Sequence, residues 1–472
     1  MMDSVDVADQ RHSNGLLLAG PVLAVLVALF VGESLGRDAG LTAGVTVWTI
    51  LWWITEPIPI PATSLLPLAL LPLTGVLDAS QVASAYGSPL IILMLGGFIL
   101  FKGMESTGTH RRLAVYMVNA CSSIAGSRSD RSVLFGFMIA SAVMSMWISN
   151  TATVLMLLPI AYAILEKSEN PYLPAALMLG IAYAANVGGM GTPIGTPPNL
   201  IFMEVYAEFT GERISFTEWM RWGVPVVILF VPIIGLWLSR KLKNSDQRDS
   251  GLEMPVVGEW QAAERRVLLV FGLTALAWIT RGEPFGGWSH WFNVPNANDA
   301  AVALVGAVAL FVVPNGKGGR LLDWEQATTI PWGMLLLFAG GICIAKAFVA
   351  SGLSSAMGDA FAGLANLPTL LMMLVLCLGV SFLTESTSNT ATTTLLMPIL
   401  AAAAIGANLP PELLMVPAAL SASCAFMLPV ATAPNAIVFG SGHIRSVEMM
   451  RTGIVLNIIG ACLIALVCWA LF

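Results

Sequence analysis

The sequence predicts an all-α polytopic membrane protein with 11 transmembrane helices plus two re-entrant hairpins, arranged as two inverted repeats. Three observations carry this. Of the 472 residues, 57% are hydrophobic and only 11% are charged, where a soluble chain carries about a quarter charged. Two apolar regions are each interrupted near the middle by a polar Ser-Asn-Thr stretch. Five motifs of the first half recur in the second half, in the same order.

The elements follow in chain order. Residues 1–14 are polar and carry Asp3, Asp6, Asp9 and Arg11. A secretory leader has a basic start and a small-residue cleavage site. Neither is present, so 1–14 reads as a cytoplasmic tail and the first apolar run as a retained helix. Full spans are expected near 16–36, 41–55, 58–77, 88–107, 171–204, 221–243, 262–281, 299–314, 331–350, 411–440 and 452–472. Regions 132–165 and 367–405 behave differently. In the first, the arms flanking the polar stretch (132–146 and 153–165) have about 14 residues, or about 21 Å of helix, against a hydrocarbon core of about 30 Å. Short arms joined by a polar tip make a re-entrant hairpin, which is tolerated only where it lines a protein-walled or wet cavity.

Charge sets the orientation. Arg37, Arg213, Arg221 and Arg281 fall outside in this topology, and Lys102 and Lys346 fall within spans. The remaining sixteen of the 22 Lys and Arg, among them Arg111, Arg112, Arg128, Arg131, Arg240, Lys241 and Arg445, fall inside. Basic residues concentrate on the cytoplasmic side of membrane proteins. The N-terminus is therefore expected in the cytoplasm and the C-terminus outside. The six cysteines lie in apolar sequence without a C-x-x-C pair, as small packing residues do.

The internal repeat is legible residue by residue. Ser149-Asn150-Thr151-Ala152-Thr153 recurs as Ser388-Asn389-Thr390-Ala391-Thr392, and Pro159 as Pro398. Gly96-Gly97, Lys102 and Gly108 recur as Gly340-Gly341, Lys346 and Gly352. Gly195-Thr196-Pro197-Pro198-Asn199 recurs as Ala431-Thr432-Ala433-Pro434-Asn435, and Arg221-x-Gly223 as Arg451-x-Gly453. In the topology above an odd number of crossings separates the copies, so the repeats are inverted. Inverted repeats with broken helices place a substrate site near the midplane, between the repeats.

Two pairs of motifs carry chemistry. The Ser-Asn-Thr tips offer short polar side chains and freed backbone groups. An asparagine can give its carbonyl to a small hard cation and its amide to a carboxylate. The second pair is the Gly188–Asn199 stretch, with its glycines and prolines, and its partner Leu428–Asn435. Neither stretch can stay a regular helix. Two tips and two breaks would point four helix N-termini into one cavity. At about +0.5 charge each, their sum suits a dianion without an Arg or Lys in the pocket. Lys102 and Lys346, charges inside spans, read either as snorkelling side chains or as gating or ion-substituting groups. Trp48, Trp52 and Trp53 read as an interfacial aromatic belt. No H-E-x-x-H, Walker loop or nucleophile elbow occurs, and His12, His110, His290 and His443 are scattered. The chain therefore reads as a transporter rather than an enzyme, with no metal cofactor, organic cofactor or nucleic-acid partner.

These motifs resemble the divalent anion/Na⁺ symporter family, the INDY-like Na⁺/dicarboxylate transporters. The resemblance rests on the paired Ser-Asn-Thr motifs, the GTPPN and ATAPN breaks, and Trp53-x-Thr55-Glu56-Pro57-Ile58-Pro59, and runs from about residue 45 to the C-terminus. It implies a homodimer in an inner membrane that works as an elevator. On that pattern 15–131 and 265–365 form the scaffold, 132–243 and 366–472 the two transport halves, and 244–264 a polar linker. It implies one Na⁺ at Ser145, Ser149, Asn150 and Gly195, and a second at Thr384, Ser388, Asn389 and Ala431. Substrate carboxylates would meet Asn150, Thr151, Asn389 and Thr390, with Thr196, Pro197, Thr432 and Pro434 adjacent. Ala433 departs from the family pattern, which has proline there. The implied activity is Na⁺-coupled import of C4-dicarboxylates such as succinate, malate or fumarate. The alternatives are a Na⁺-independent dicarboxylate exchanger, a symporter of another divalent anion such as sulfate, and an integral membrane enzyme.

Overall fold

Side-chain caps, prolines and glycines set most helix ends in the computed structural model, which describes residues 3–124, 129–166, 168, 170–245, 258–282, 287–356 and 368–472. Helix α1 (Asp3–Leu35) packs along α2 (Arg37–Thr55), and Gly36 at φ 95° makes the turn between them. Helices α3 (Ile60–Thr63), α4 (Leu65–Leu73) and α5 (Ala79–Tyr86) lead to α6 (Pro89–Ser106), which starts on the Ser88 cap. Helix α7 (Thr109–Ile124) joins α6 to the first hairpin, α8 (Asp130–Ser145) and α9 (Asn150–Leu165). Then come α10 (Leu173–Gly188), α11 (Pro197–Thr210) and α12 (Phe216–Leu238), the last opened by a Ser215/Glu218 capping box. The second half holds α13 (Ala262–Ile279), α14 (Gly287–Trp291), α15 (Asp299–Val312), α16 (Trp324–Ala327) and α17 (Trp332–Ala350). It ends with the second hairpin, α18 (Thr369–Ser386) and α19 (Asn389–Gly406), then α20 (Glu412–Ser421), α21 (Ala433–Gly440) and α22 (Ser446–Leu471).

Among the described residues there is no β-strand, only an isolated bridge between Pro314 and Arg320. Eight helical stretches there are long and apolar enough to cross a membrane. The chain is a multi-pass, all-helical membrane protein.

Helices of the two halves pack on each other. Helix α10 lies against α8, α9, α12 and α21, and α20 against α18, α19 and α22. Tyr183 on α10 donates to the Phe426 carbonyl at 2.6 Å, which ties the first half to the second. Gly223 and Gly453 occupy matching places: a Cβ on the first would run into the Met190 carbonyl, and on the second into that of Phe426. Helix α6 packs along α15, and α17 along α4 and α5. Arg112 on α7 reaches Glu264 at 2.9 Å and the Glu259 carbonyl at 2.8 Å, clasping the start of α13.

Several sequence expectations need correction. Residues 3–14, the polar tail of the sequence reading, are not irregular but helical and continuous with the first span. The stretch 58–77 is shorter than expected as helix: Ile60–Leu73 is one short apolar helix marked by a turn at Ser64 between α3 and α4, where the Trp53 indole donates to Ser64 Oγ at 3.0 Å. Helices α5 and α7 were not foreseen, because short amphipathic segments between apolar runs look like loops. The arms of the second hairpin have 18 residues each, about 27 Å of helix. That nearly equals the hydrocarbon thickness, so the polar tip, and not arm length, sets this pair apart. The centre of the 244–264 linker, the boundary at 365–366 and Arg128 lie outside the described residues.

Candidate functional site

Each hairpin tip is built the same way. Ser149 caps α9 by accepting from the Ala152 N–H at 3.2 Å, and Ser388 caps α19 by accepting from Ala391 at 3.3 Å. Behind each cap a hydroxyl meets an asparagine carbonyl. Ser145 Oγ donates to Asn150 Oδ1 at 2.5 Å, and Thr384 Oγ1 to Asn389 Oδ1 at 2.7 Å. Ser145 and Thr384 are fully buried, one layer below the cavity surface. In each tip two oxygens converge, the donor set a small hard cation selects.

The two breaks also repeat each other bond for bond. Asn199 gives its amide hydrogens to the Gly189 carbonyl at 2.9 Å and the Thr192 carbonyl at 2.7 Å. Asn435 gives its own to Ala425 at 2.9 Å and Leu428 at 3.1 Å. Each asparagine thus replaces the helical bonds that the break removes. The first break lies against the first tip: a Cβ on Gly189 would sit 2.7 Å from Asn150 Oδ1 and 3.1 Å from the Gly195 carbonyl. Only glycine permits that approach. Thr432 caps α21 through its hydroxyl, which accepts from Asn435 N at 3.2 Å, while Thr196 makes no side-chain cap on α11.

Tips and breaks meet in one cavity of 680 Å³. Its wall includes the N-cap residues of all four helices: Ser149, Thr196, Ser388 and Thr432. Asn150, Thr151, Gly195 and Pro197 line it from the first half, and Asn389, Thr390, Ala431 and Pro434 from the second. Helix α6 supplies apolar lining, with Met94, Phe98 and Phe101. Such a cavity can hold a small anion by helix dipoles and neutral donors.

The expectation of a pocket without a basic residue is wrong. Lys102 lines the cavity, as do Glu56, Glu105 and Glu385. Lys346, the repeat partner of Lys102, is outside the cavity wall and pairs with Glu208 on α11 at 2.6 Å.

Two further residues carry roles that the sequence reading did not give them. Glu385, only 4% exposed, accepts from the Phe426 and Met427 N–H groups at 2.7 and 2.8 Å and from Leu428 at 3.0 Å. The Asn457 amide adds a fourth bond at 2.7 Å. A fixed carboxylate therefore stands on the second break and offsets part of the positive potential assigned to the helix ends there. The other is Asn186, fully buried on α10, whose amide reaches Thr432 Oγ1 at 3.2 Å and Asn435 Oδ1 at 3.3 Å. The available signal was a lone amide in an apolar run just before the glycines.

With this geometry in hand, comparison with known proteins is informative. A family model described as "citrate transporter" (CitMHS) matches residues 50–410. The sodium-dependent dicarboxylate transporter SdcS of Staphylococcus saprophyticus is 39% identical over 477 residues, covering 96% of this chain and 90% of that protein. SdcS of Staphylococcus aureus is 39% identical over 473 residues, covering 96% and 89%. Two solved structures share the fold at 13% identity. The YdaH transporter of Alcanivorax borkumensis has a TM-score of 0.57 over 84% of this chain and 87% of its own. MtrF of Neisseria gonorrhoeae has a TM-score of 0.58 over 89% and 96%.

Proposed function

The chain belongs to the citrate transporter family, a family of membrane transporters and not of enzymes, and on that premise we propose that it is a Na⁺-coupled importer of C4-dicarboxylates such as succinate, malate or fumarate. The observation that carries this reading is the convergence of both Ser-Asn-Thr tips and four helix N-caps on one cavity. A dianion placed between the tips meets the Asn150 and Asn389 amides and the Thr151 and Thr390 hydroxyls. Thr196 and Thr432 flank it at the breaks. One Na⁺ takes Ser145, Ser149, Asn150 and the Gly195 carbonyl, and the other takes Thr384, Ser388, Asn389 and the Ala431 carbonyl.

The cations do more than neutralise charge. In each tip a hydroxyl and an asparagine carbonyl oxygen already lie together, Ser145 with Asn150 and Thr384 with Asn389. A cation that took both oxygens would fix the asparagine, whose amide is then held for the anion. The cations bind first in the proposed cycle and order the anion site. In the proposed cycle the two repeats lie inverted in an inner membrane, with the N-terminus in the cytoplasm and the C-terminus outside. The tips and breaks move as a body past the scaffold of a homodimer.

Uptake of radiolabelled succinate into proteoliposomes tests the reading. An inward Na⁺ gradient is expected to drive accumulation, and choline in its place to abolish it. Accumulation that needs internal dicarboxylate and ignores Na⁺ would mean an exchanger instead. A second measurement tests the order of binding. Na⁺ alone, without any anion, is expected to raise the thermal unfolding midpoint relative to choline, since a ligand that binds only the folded state stabilises it. Coincident melts would contradict the cation-first scheme.

A further inference from the structure

Lys102 is set apart from every other group around the cavity. Among the described residues it is the one Lys or Arg in the wall. It stands on α6, and its Nζ reaches Glu105 Oε2 at 3.0 Å, one turn further along the same helix. The pair is not sealed: the Lys102 side chain is 23% exposed and that of Glu105 is 45% exposed. Ion pairs of that exposure contribute little net stability, so the carboxylate is a partner that can be exchanged. Glu56, at the end of α2, lines the same cavity and adds a second carboxylate. Lys346 shows that the repeat does not require a lysine in the cavity wall, since that copy is spent on Glu208. A charge within a span is a functional candidate by default.

We propose that Lys102 is an anion contact held in check by Glu105: a carboxylate of the carried anion displaces Glu105 from Nζ when it occupies the α6 side of the cavity. The proposal rests on the dicarboxylate reading above. The tips then hold the anion by neutral donors and cations, and Lys102 holds it from α6 by charge. Glu105 competes for the same ammonium, which keeps the contact weak enough for the anion to leave. Without Lys102, the wall keeps the carboxylates of Glu56, Glu105 and Glu385 and no ammonium to offset their repulsion of the anion.

The logic makes two neighbouring substitutions act in opposite directions. Initial rates of succinate uptake at saturating Na⁺ are compared in proteoliposomes for the unaltered chain, Lys102→Met, Glu105→Gln and the double variant. Lys102→Met is expected to raise KM about five- to tenfold, and Glu105→Gln to lower it about two- to threefold. The double variant is expected to match Lys102→Met, because there is no ammonium left to release. Lys102→Arg restores KM toward that of the unaltered chain, while the half-saturating Na⁺ concentration stays constant across the set. An unchanged KM in Lys102→Met, or a Glu105→Gln effect that persists in the double variant, overturns the proposal. So does a lysine whose loss lowers the melting point but leaves KM alone, which is the behaviour of a snorkelling or packing side chain. If the unaltered chain carries no succinate, the dicarboxylate reading itself fails and this inference falls with it. If that chain carries succinate and the opposed shifts are missing, only the role of Lys102 is wrong.

Discussion

Replacing Asn150 or Asn389 by alanine is expected to abolish Na⁺-driven succinate uptake while the protein still folds. Each asparagine has two jobs in the proposed site. Its carbonyl, already met by Ser145 or Thr384, is a cation ligand, and its amide faces the anion. Losing two charge-assisted interactions at roughly 1.5–3 kcal/mol each predicts a fall of about 100-fold or more. Folding is expected to survive, because both residues are only partly buried and sit at helix N1 positions where Ser149 and Ser388 keep their caps. Uptake and thermal unfolding are measured on the same purified variants. Near-normal uptake by either one would sink the site assignment, and so would a variant whose only defect is a collapsed melt.

Glu385→Ala is expected to have the largest effect on stability of any single change around the cavity. It would leave the Phe426, Met427 and Leu428 N–H groups and the Asn457 amide without their acceptor, in a place only 4% exposed. Each buried group left unsatisfied costs about 1–3 kcal/mol, so a loss of several kcal/mol is expected, together with loss of uptake. Glu385→Gln keeps one acceptor oxygen and should fall between. The first half provides an internal control. Met146 stands where the repeat aligns with Glu385; its backbone carbonyl accepts from Thr192 and its side chain packs over Gly191 without a hydrogen bond. Met146→Ala leaves no buried donor unsatisfied and should therefore cost less than Glu385→Ala. Thermal denaturation in detergent decides the matter: a Glu385→Ala melt coincident with that of the unaltered protein would show that the four bonds hold nothing in place.

These two expectations differ in how much of them could be read from the chain. The tips were legible because a polar Ser-Asn-Thr stretch inside apolar sequence is a local violation of pattern, and its repetition at an offset of 239 made it systematic. The breaks were legible for the same reason, since four glycines and three prolines within Gly188–Asn199 forbid a helix whatever surrounds them. Glu385 was visible only as an isolated carboxylate. Its meaning depends on donors 41 to 43 residues away, and on Asn457, 72 residues away.

The sequence by itself determined that the chain is helical and membrane-embedded, that five of its motifs recur in order, and which short segments cannot be helix. Those properties follow from hydropathy, from backbone restrictions at glycine and proline, and from identity between copies, all of which act over a few residues at a time. The tertiary structure alone decided which groups share a cavity. It separated Lys102 from Lys346, which occupy matching places in the recurring motif: one lines the cavity beside Glu105, and the other pairs with Glu208, 138 residues away. It also brought Asn186 of the first half onto Thr432 and Asn435 of the second, 246 and 249 residues away. The reason is physical. A side chain's electrostatic role is set by what lies within a few ångströms of it, and in a helical membrane protein those neighbours come from helix packing rather than from adjacent sequence.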